Sequence, residues 1–309
     1  MLNKVEVLSE IIQTIQSLND SGNNNLMQSG RDILNISQNG QIDRYEGGIG
    51  SAEEFEVDSL LFNAYHIELA IPDPLSVLFV HKNILHSDQI VKSDFRVKGI
   101  REILERCKVI SFTNWASFQD ASTMWDRLRT NVIKPLGRKD FEFIFYMGDT
   151  TKKWASEIDE ILDIMSDFSF SGKVTLVLTE REASELWKML YGDNLKLSST
   201  GINESQYIFN AINIDRLLVY SPDHRVTIFS RGGSLEMTGR SLYSTNVTYK
   251  AQDYFNAGYI LGLLLQLSTV HCTALGLAVA GAYLRNDVIH DLNALVVYMN
   301  DWIKEDEAQ

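Results

Sequence analysis

Apolar residues recur at helical spacing at Leu8, Ile11, Ile12, Ile15 and Leu18, and Asn19-Asp20-Ser21-Gly22 stops the pattern, which predicts an amphipathic N-terminal helix. Residues 22–50 are rich in Asn, Gln, Ser and Gly and close on Gly47-Gly48-Ile49-Gly50, the composition of a loop-rich or hairpin stretch. Apolar runs without alternation follow, SLLFNAYHIELAI and SVLFV, broken by Pro72 and Pro74. From residue 108 a regular rhythm begins. KVISFT (108–113) reads as a buried strand, and Asp120 can cap a helix whose apolar face holds Trp125, Leu128, Val132 and Leu136. FEFIFYM (141–147) then precedes a helix through Ile158, Ile161, Leu162 and Met165, and KVTLVL (173–178) precedes one through Ala183, Leu186 and Leu190. DRLLVY and VTIFS, separated by Ser221-Pro222-Asp223-His224, read as an antiparallel pair. The chain closes with two apolar helices and a final amphipathic one carrying Leu292, Leu295, Val296, Met299 and Trp302.

Strand and helix alternating at short spacing predict an α/β protein of three layers, with helices on both faces of a mostly parallel sheet. Residues 76–309 form the expected α/β core, and residues 1–75 a helix followed by a loop-rich, lid-like segment. The stretch Tyr254–Leu284 has no Asp, Glu, Lys or Arg and is long enough to span a bilayer, but Gln266, Ser268, Thr269, His271 and Thr273 split it into two helices of ordinary buried length. No membrane partner is expected. A formal charge of -13 opposes attachment to nucleic acid or anionic lipid, both of which recruit Lys and Arg patches. Cys107 and Cys272 stand far apart with no CxxC, so neither a disulfide framework nor structural zinc is expected. With charges inside the apolar part of MLNKVEVLSEIIQ and no cleavage site after it, these cysteines point to a cytoplasmic protein.

Chemistry concentrates in two places. In Lys250-Ala251-Gln252-Asp253-Tyr254-Phe255, Asp253 is expected where a long helix begins, beside free backbone N–H groups and the positive end of the helix dipole. A carboxylate there can take a proton from a hydroxyl while the N–H groups hold phosphoryl oxygens; equally, it can be a plain N-cap. In Thr179-Glu180-Arg181-Glu182, following a strand, the Thr and the Glu three residues on have the spacing of a capping box. The six histidines His66, His81, His86, His224, His271 and His290 are scattered without metal-ligand spacing and read as core or surface residues, as Trp115, Trp125, Trp154 and Tyr146 read as core packing. There is no GxSxG elbow and no GxxxxGK[ST] loop.

The segment around Asp253 resembles the C-terminal signature of the ribokinase-like (PfkB) carbohydrate kinases, a G-A-G-D turn opening a helix that continues F-x-A-G-x-x-x-G. Asp253, Phe255, Ala257, Gly258 and Gly262 fall on that pattern, while Lys250 and Gln252 replace two of its glycines. Thr179 to Glu182 is similar to the family's N-x-x-E segment, with Glu182 on the Glu and Thr179 in place of the Asn. FTNWASFQDASTMWDRL (112–128) and YMGDTTKKWASEI (146–158), where Asp149 follows a strand end, also look like one branch of these kinases, so the resemblance covers about residues 70–309. It implies a ribokinase-like fold, with Asp253 as catalytic base and Lys250, Ala251 and Gln252 in the phosphate-holding turn. It also implies that Glu182 and Thr179 organise magnesium through water, with ATP as donor, a sugar or nucleotide as small-molecule partner, and a homodimer. Glycine allows left-handed backbone and close approach of a phosphate, so Gln252 alters that turn, while Lys250 brings a positive charge to it. The opening strand with its sugar-binding Asp has no counterpart; Gly47-Gly48 stands as a remnant or a glycine hairpin, and Asp43 and Asp58 are the acidic residues near it. Two functions follow: an ATP-dependent kinase acting on a sugar or small alcohol, or a catalytically inactive kinase-like binding or assembly protein.

Overall fold

The computed structural model describes residues 3–20, 33–36, 42–45, 77–80, 101, 104–105, 108–112, 115–117, 121–192, 204–240, 249–285 and 292–308. The expectations placed on Asp120, Cys107, Gly47-Gly48, Asp58, His66, His81, His86 and His290 lie outside them.

Five strands, β3 (Val77–Val80), β4 (Val109–Phe112), β5 (Phe141–Tyr146), β6 (Gly172–Thr179) and β7 (Arg216–Ser221), pair in parallel. β8 (Arg225–Ser230) and β9 (Gly233–Thr238) continue the same sheet antiparallel, so strand order follows sequence order across seven strands. A right-handed crossover that always steps in the same direction returns over the same face of the sheet. The crossover helices α2 (Ala121–Leu128), α3 (Ala155–Phe168), α4 (Glu180–Tyr191) and α5 (Glu204–Ala211) accordingly share one core layer. The opposite face is covered by α1 (Lys4–Asp20), α6 (Tyr249–Leu264), α7 (Thr269–Leu284) and α8 (Leu292–Glu307). The result is three layers, α/β/α. Phe143, Phe145, Leu176, Leu178, Leu217 and Val219 face the crossover layer, and Ile144, Tyr146, Val177, Leu218 and Tyr220 the other. Both faces of β5, β6 and β7 are therefore buried, which is why they read as unbroken apolar runs.

On the crossover side, aromatic rings fill the centre. Phe112 stacks on Phe145 at 4.6 Å between centroids and meets Trp125 at 4.9 Å and Phe168 edge-on at 5.1 Å. Such pairs add about 0.5–1.5 kcal/mol each beyond the area they bury. On the other side, α6 and α7 pack through glycines: a Cβ on Gly258 would lie 2.7 Å from the Leu275 carbonyl oxygen, and one on Gly262 would lie 2.7 Å from the Cys272 Cα. The stretch 254–284 is thus two helices, parted by Gln266 in a left-handed conformation (φ 58°) and by Ser268, whose hydroxyl caps α7 at the His271 N–H. No helix among the described residues is long and apolar enough to cross a membrane.

Several expectations change. The helix expected through Leu136 ends as α-helix at Leu128 and continues as a π turn over Arg129–Ile133 and a 3-10 turn over Lys134–Leu136, because Pro135 has no N–H for the ladder. Trp154 is not core: it stands 78% exposed at the start of α3, while Trp115, Trp125 and Tyr146 are buried. α1, grouped by sequence with the lid-like stretch, packs its Leu8, Ile11 and Ile15 into the core beside α7 and α8, and Lys4 pairs with Asp306 at 2.7 Å. Within residues 22–50 the structure agrees with the hairpin alternative: β1 (Ile33–Ile36) and β2 (Ile42–Tyr45) form a separate antiparallel ribbon, with Asp43 on β2.

Candidate functional site

In a parallel sheet every strand presents its carboxyl end to the same edge, and the loops leaving that edge are where ligands of open α/β folds bind. Three loops leave β5, β6 and β7 there. After β5, Gly148 takes a left-handed turn (φ 72°) and Asp149 caps a short 3-10 turn, accepting from the Thr151 N–H at 3.1 Å and its hydroxyl at 2.5 Å. Those two donors hold the exposed Asp149 carboxyl below its ordinary range, so it is a fixed negative charge at neutral pH.

After β6, Thr179 and Glu182 close on each other. The Thr179 hydroxyl accepts from the Glu182 N–H at 3.1 Å, while Glu182 Oε2 accepts from the Thr179 N–H at 2.7 Å and from its hydroxyl at 3.0 Å. This is the capping box that the spacing allows, and it satisfies two of the donors a helix start leaves free. Burial raises the Glu182 carboxyl above its ordinary range in spite of those bonds. Between them, Glu180 accepts from the Ser221 hydroxyl at the end of β7 and lies 3.5 Å from Arg225. Arg225 is also ringed by Asp223 at 3.3 Å and Glu236 at 3.1 Å, so its charge is taken up locally. The cluster of Glu180, Ser221 and Arg225 was not singled out from sequence; the acidic residue directly after a strand, opposite a turn ending in Arg, was the available signal.

α6 brings the fourth component. Phe255 lies 5.4 Å from Tyr220, near the carboxyl end of β7, whereas one turn later Tyr259 faces Arg216 and Thr175, near the amino ends of β7 and β6. α6 therefore runs antiparallel to the strands, and its first turn, with the Asp253 backbone, arrives at the carboxyl edge of the sheet. The helix begins at Tyr249, so Asp253 is on its second turn, one turn later than the sequence suggests. Its N–H faces the Tyr249 carbonyl. The cause is the residue types: Lys250, Ala251 and Gln252 are good helix formers, and without glycines the segment winds into the helix instead of opening as a turn. Ala251 is fully buried and Gln252 half-buried.

The structure thus brings the two expected regions, Thr179/Glu182 and 250–253, to one edge, with Asp149 beside them. At this edge Thr179 and Glu182 are tied to each other. Glu182 Oε2 already takes two hydrogen bonds, the Thr179 hydroxyl both gives and accepts one, and a metal at either oxygen would dismantle the cap. No group of three His, Cys, Asp or Glu side chains able to hold a metal occurs among the described residues.

A family model described as prokaryotic ketohexokinase matches residues 82–302. No curated protein matches the sequence. Among solved structures, an adenosine kinase from Sinorhizobium meliloti overlays with a TM-score of 0.48 and 16% identity, over 65% of this chain and 56% of that one. Arabidopsis thaliana ribokinase, solved with ribose and ATP, gives 0.45 and 17% over 69% and 59%, and a phosphofructokinase-2 variant from Escherichia coli 0.47 and 12% over 68% and 62%. The chain spans less than two thirds of the length of each of these three enzymes.

Proposed function

The chain belongs to the prokaryotic ketohexokinase family, and on that premise we propose that it transfers the γ-phosphoryl group of ATP to a hydroxyl of a ketohexose. The observation that carries this reading is the direction of α6, which delivers its first turn and Asp253 to the carboxyl edge of the parallel sheet, inside the span of the family match. Phosphoryl transfer asks a protein mainly for position and for opposite charge on the equatorial oxygens. In the proposed step the Asp253 carboxylate takes the hydroxyl proton as that oxygen forms its bond to the γ-phosphorus. The bond from phosphorus to the β–γ bridging oxygen breaks, ADP leaves, and the proton remains on Asp253 until solvent removes it. The first-turn N–H groups of Tyr249–Ala251 and the positive end of α6 stabilise the charge on the moving phosphoryl group, and Lys250 adds a full positive charge in that turn. ATP enters as its magnesium complex, a substrate; Thr179 and Glu182 hold the start of α4 at this edge and reach that complex only across water.

The test is direct. The purified protein with magnesium, ATP and fructose should yield ADP and a sugar phosphate in equal amounts, read by phosphorus NMR, and millimolar ATP with magnesium should raise its melting temperature. If neither the nucleotide shift nor transfer to any member of a ketohexose panel is seen, the kinase reading is wrong, and the inactive binding protein is what remains.

A further inference from the structure

At the opposite, amino edge of the sheet lies a cavity of about 360 Å³ that has no part in the chemistry above. The starts of β6 and β7, the β8–β9 turn and the first turn of α7 line it, through Lys173, Arg216, Arg231, Leu235 and Val270 among others. From these residues we infer a second ligand site, one that takes a small phosphate monoester.

Three cations face this space in a chain whose formal charge is -13, so the local sign is the reverse of the whole. They differ in kind. Arg216 is a rigid, buried floor: its side chain is 10% exposed, and its Nη1 is held by Glu142 at 2.9 Å and Thr175 at 3.3 Å. A guanidinium has five N–H donors in a fixed fork, so those bonds orient the group and leave donors over for a ligand. Lys173, 62% exposed and 3.8 Å from Glu142, is a loosely held arm. Arg231 is exposed on the β8–β9 turn and has no ionic partner among the described residues.

Two carboxylates stand against these cations. Asp215, which also lines the cavity, accepts from the Val174 N–H at 2.8 Å, and Glu142 answers Arg216 from below. Three cations against the carboxylates of Asp215 and Glu142 leave one net positive charge, and the N–H donors of a guanidinium fork, a lysine and an exposed arginine suit the several acceptor oxygens of a phosphate group better than the two of a carboxylate. Thr269 and Val270 add the positive end of the α7 dipole, while Ile228, Leu235 and Val270 offer apolar contact to the short body of an ester. Arg216 meets Tyr259 of α6, so an occupant of this site touches the residue that seats the helix carrying Asp253.

The experiment is calorimetric titration of the full chain with glycerol 3-phosphate, inorganic phosphate and, as the singly charged comparison, acetate. Arg231→Ala should weaken the binding of glycerol 3-phosphate about tenfold, as expected for one charge-assisted hydrogen bond. Lys173→Gln combined with Arg231→Gln should abolish it. Both side chains stand at the surface, so the variants should keep the wild-type melting temperature and its rise with ATP; Arg216 is left alone because its replacement would strand Glu142. Acetate should bind no better to wild type than to the double variant. The inference fails if the double variant binds glycerol 3-phosphate as wild type does, if ATP displaces the ester competitively, or if wild type does not bind it at millimolar concentration.

Discussion

Gly258 offers a quantitative test of how α6 is seated. A methyl group placed there would lie 2.7 Å from the Leu275 carbonyl oxygen, 2.8 Å from the Gly276 Cα and 2.9 Å from Val279 Cγ2. Two of these three neighbours are main chain of α7, so relief requires the helices to part. Forcing an extra methyl into a packed interior costs about 1–3 kcal/mol, and main-chain neighbours place this site at the upper end. Alanine in a helix gains about 1 kcal/mol over glycine, so Gly258→Ala should lose about 2 kcal/mol net. In a chain of this size that is a fall of about 3 °C in Tm, measurable by scanning calorimetry. Val279→Ala in the Gly258→Ala background should not restore stability, since it clears only the side-chain clash. A Gly258→Ala protein as stable as wild type, or rescue by Val279→Ala, would refute the close packing of α6 on α7.

Two further outcomes follow from local chemistry. His224 is buried, bonds Tyr220 through Nδ1 at 3.0 Å and has its pKa pushed down from 6.5 to about 4 by burial. It is neutral in the native state, while the unfolded chain takes up a proton near pH 6.5, so stability is full above that pH and is lost as pH falls toward 4. The loss is at most about 3 kcal/mol. Denaturant midpoints from pH 7 to 4.5 should show this slope, and His224→Asn, which tolerates the left-handed backbone there (φ 60°), should flatten it. At the α4 cap, Thr179→Ala should cost about 1 kcal/mol by urea unfolding. Glu182→Gln keeps the capping-box spacing and should leave both stability and the magnesium dependence of turnover nearly unchanged; a large rise in the magnesium requirement would make Glu182 a metal ligand after all.

The strands from β4 to β7 could be read from the chain because their two buried faces leave them continuous and apolar, and β8 because its buried Val226, Ile228 and Phe229 follow a turn rich in polar residues. β9 could not: Gly-Ser-Leu-Glu-Met-Thr is an edge strand with only Met237 buried, and it carries neither an apolar run nor clean alternation. Trp154 was misread because aromatic residues are usually inside, and nothing local reveals that α3 begins at the surface. At the candidate site, Thr-x-x-Glu announced its cap in the sequence, and the structure forms it. The position of Asp253 along α6 was missed by one turn because a glycine-rich pattern was carried over to a segment that has lost its glycines. The amino-edge cavity was out of reach altogether, since its cations stand on β6, β7 and the β8–β9 turn and converge only in three dimensions.

The most direct test of the account compares turnover by wild type and Asp253→Asn with ATP, magnesium and fructose, alongside the melting temperature of each. The substitution removes a base and keeps the shape, so turnover should fall by about 10²–10⁴-fold while Tm and its rise with ATP stay close to wild type. Equal turnover by the two proteins would mean that the acidic residue brought to the sheet edge by α6 is not the base.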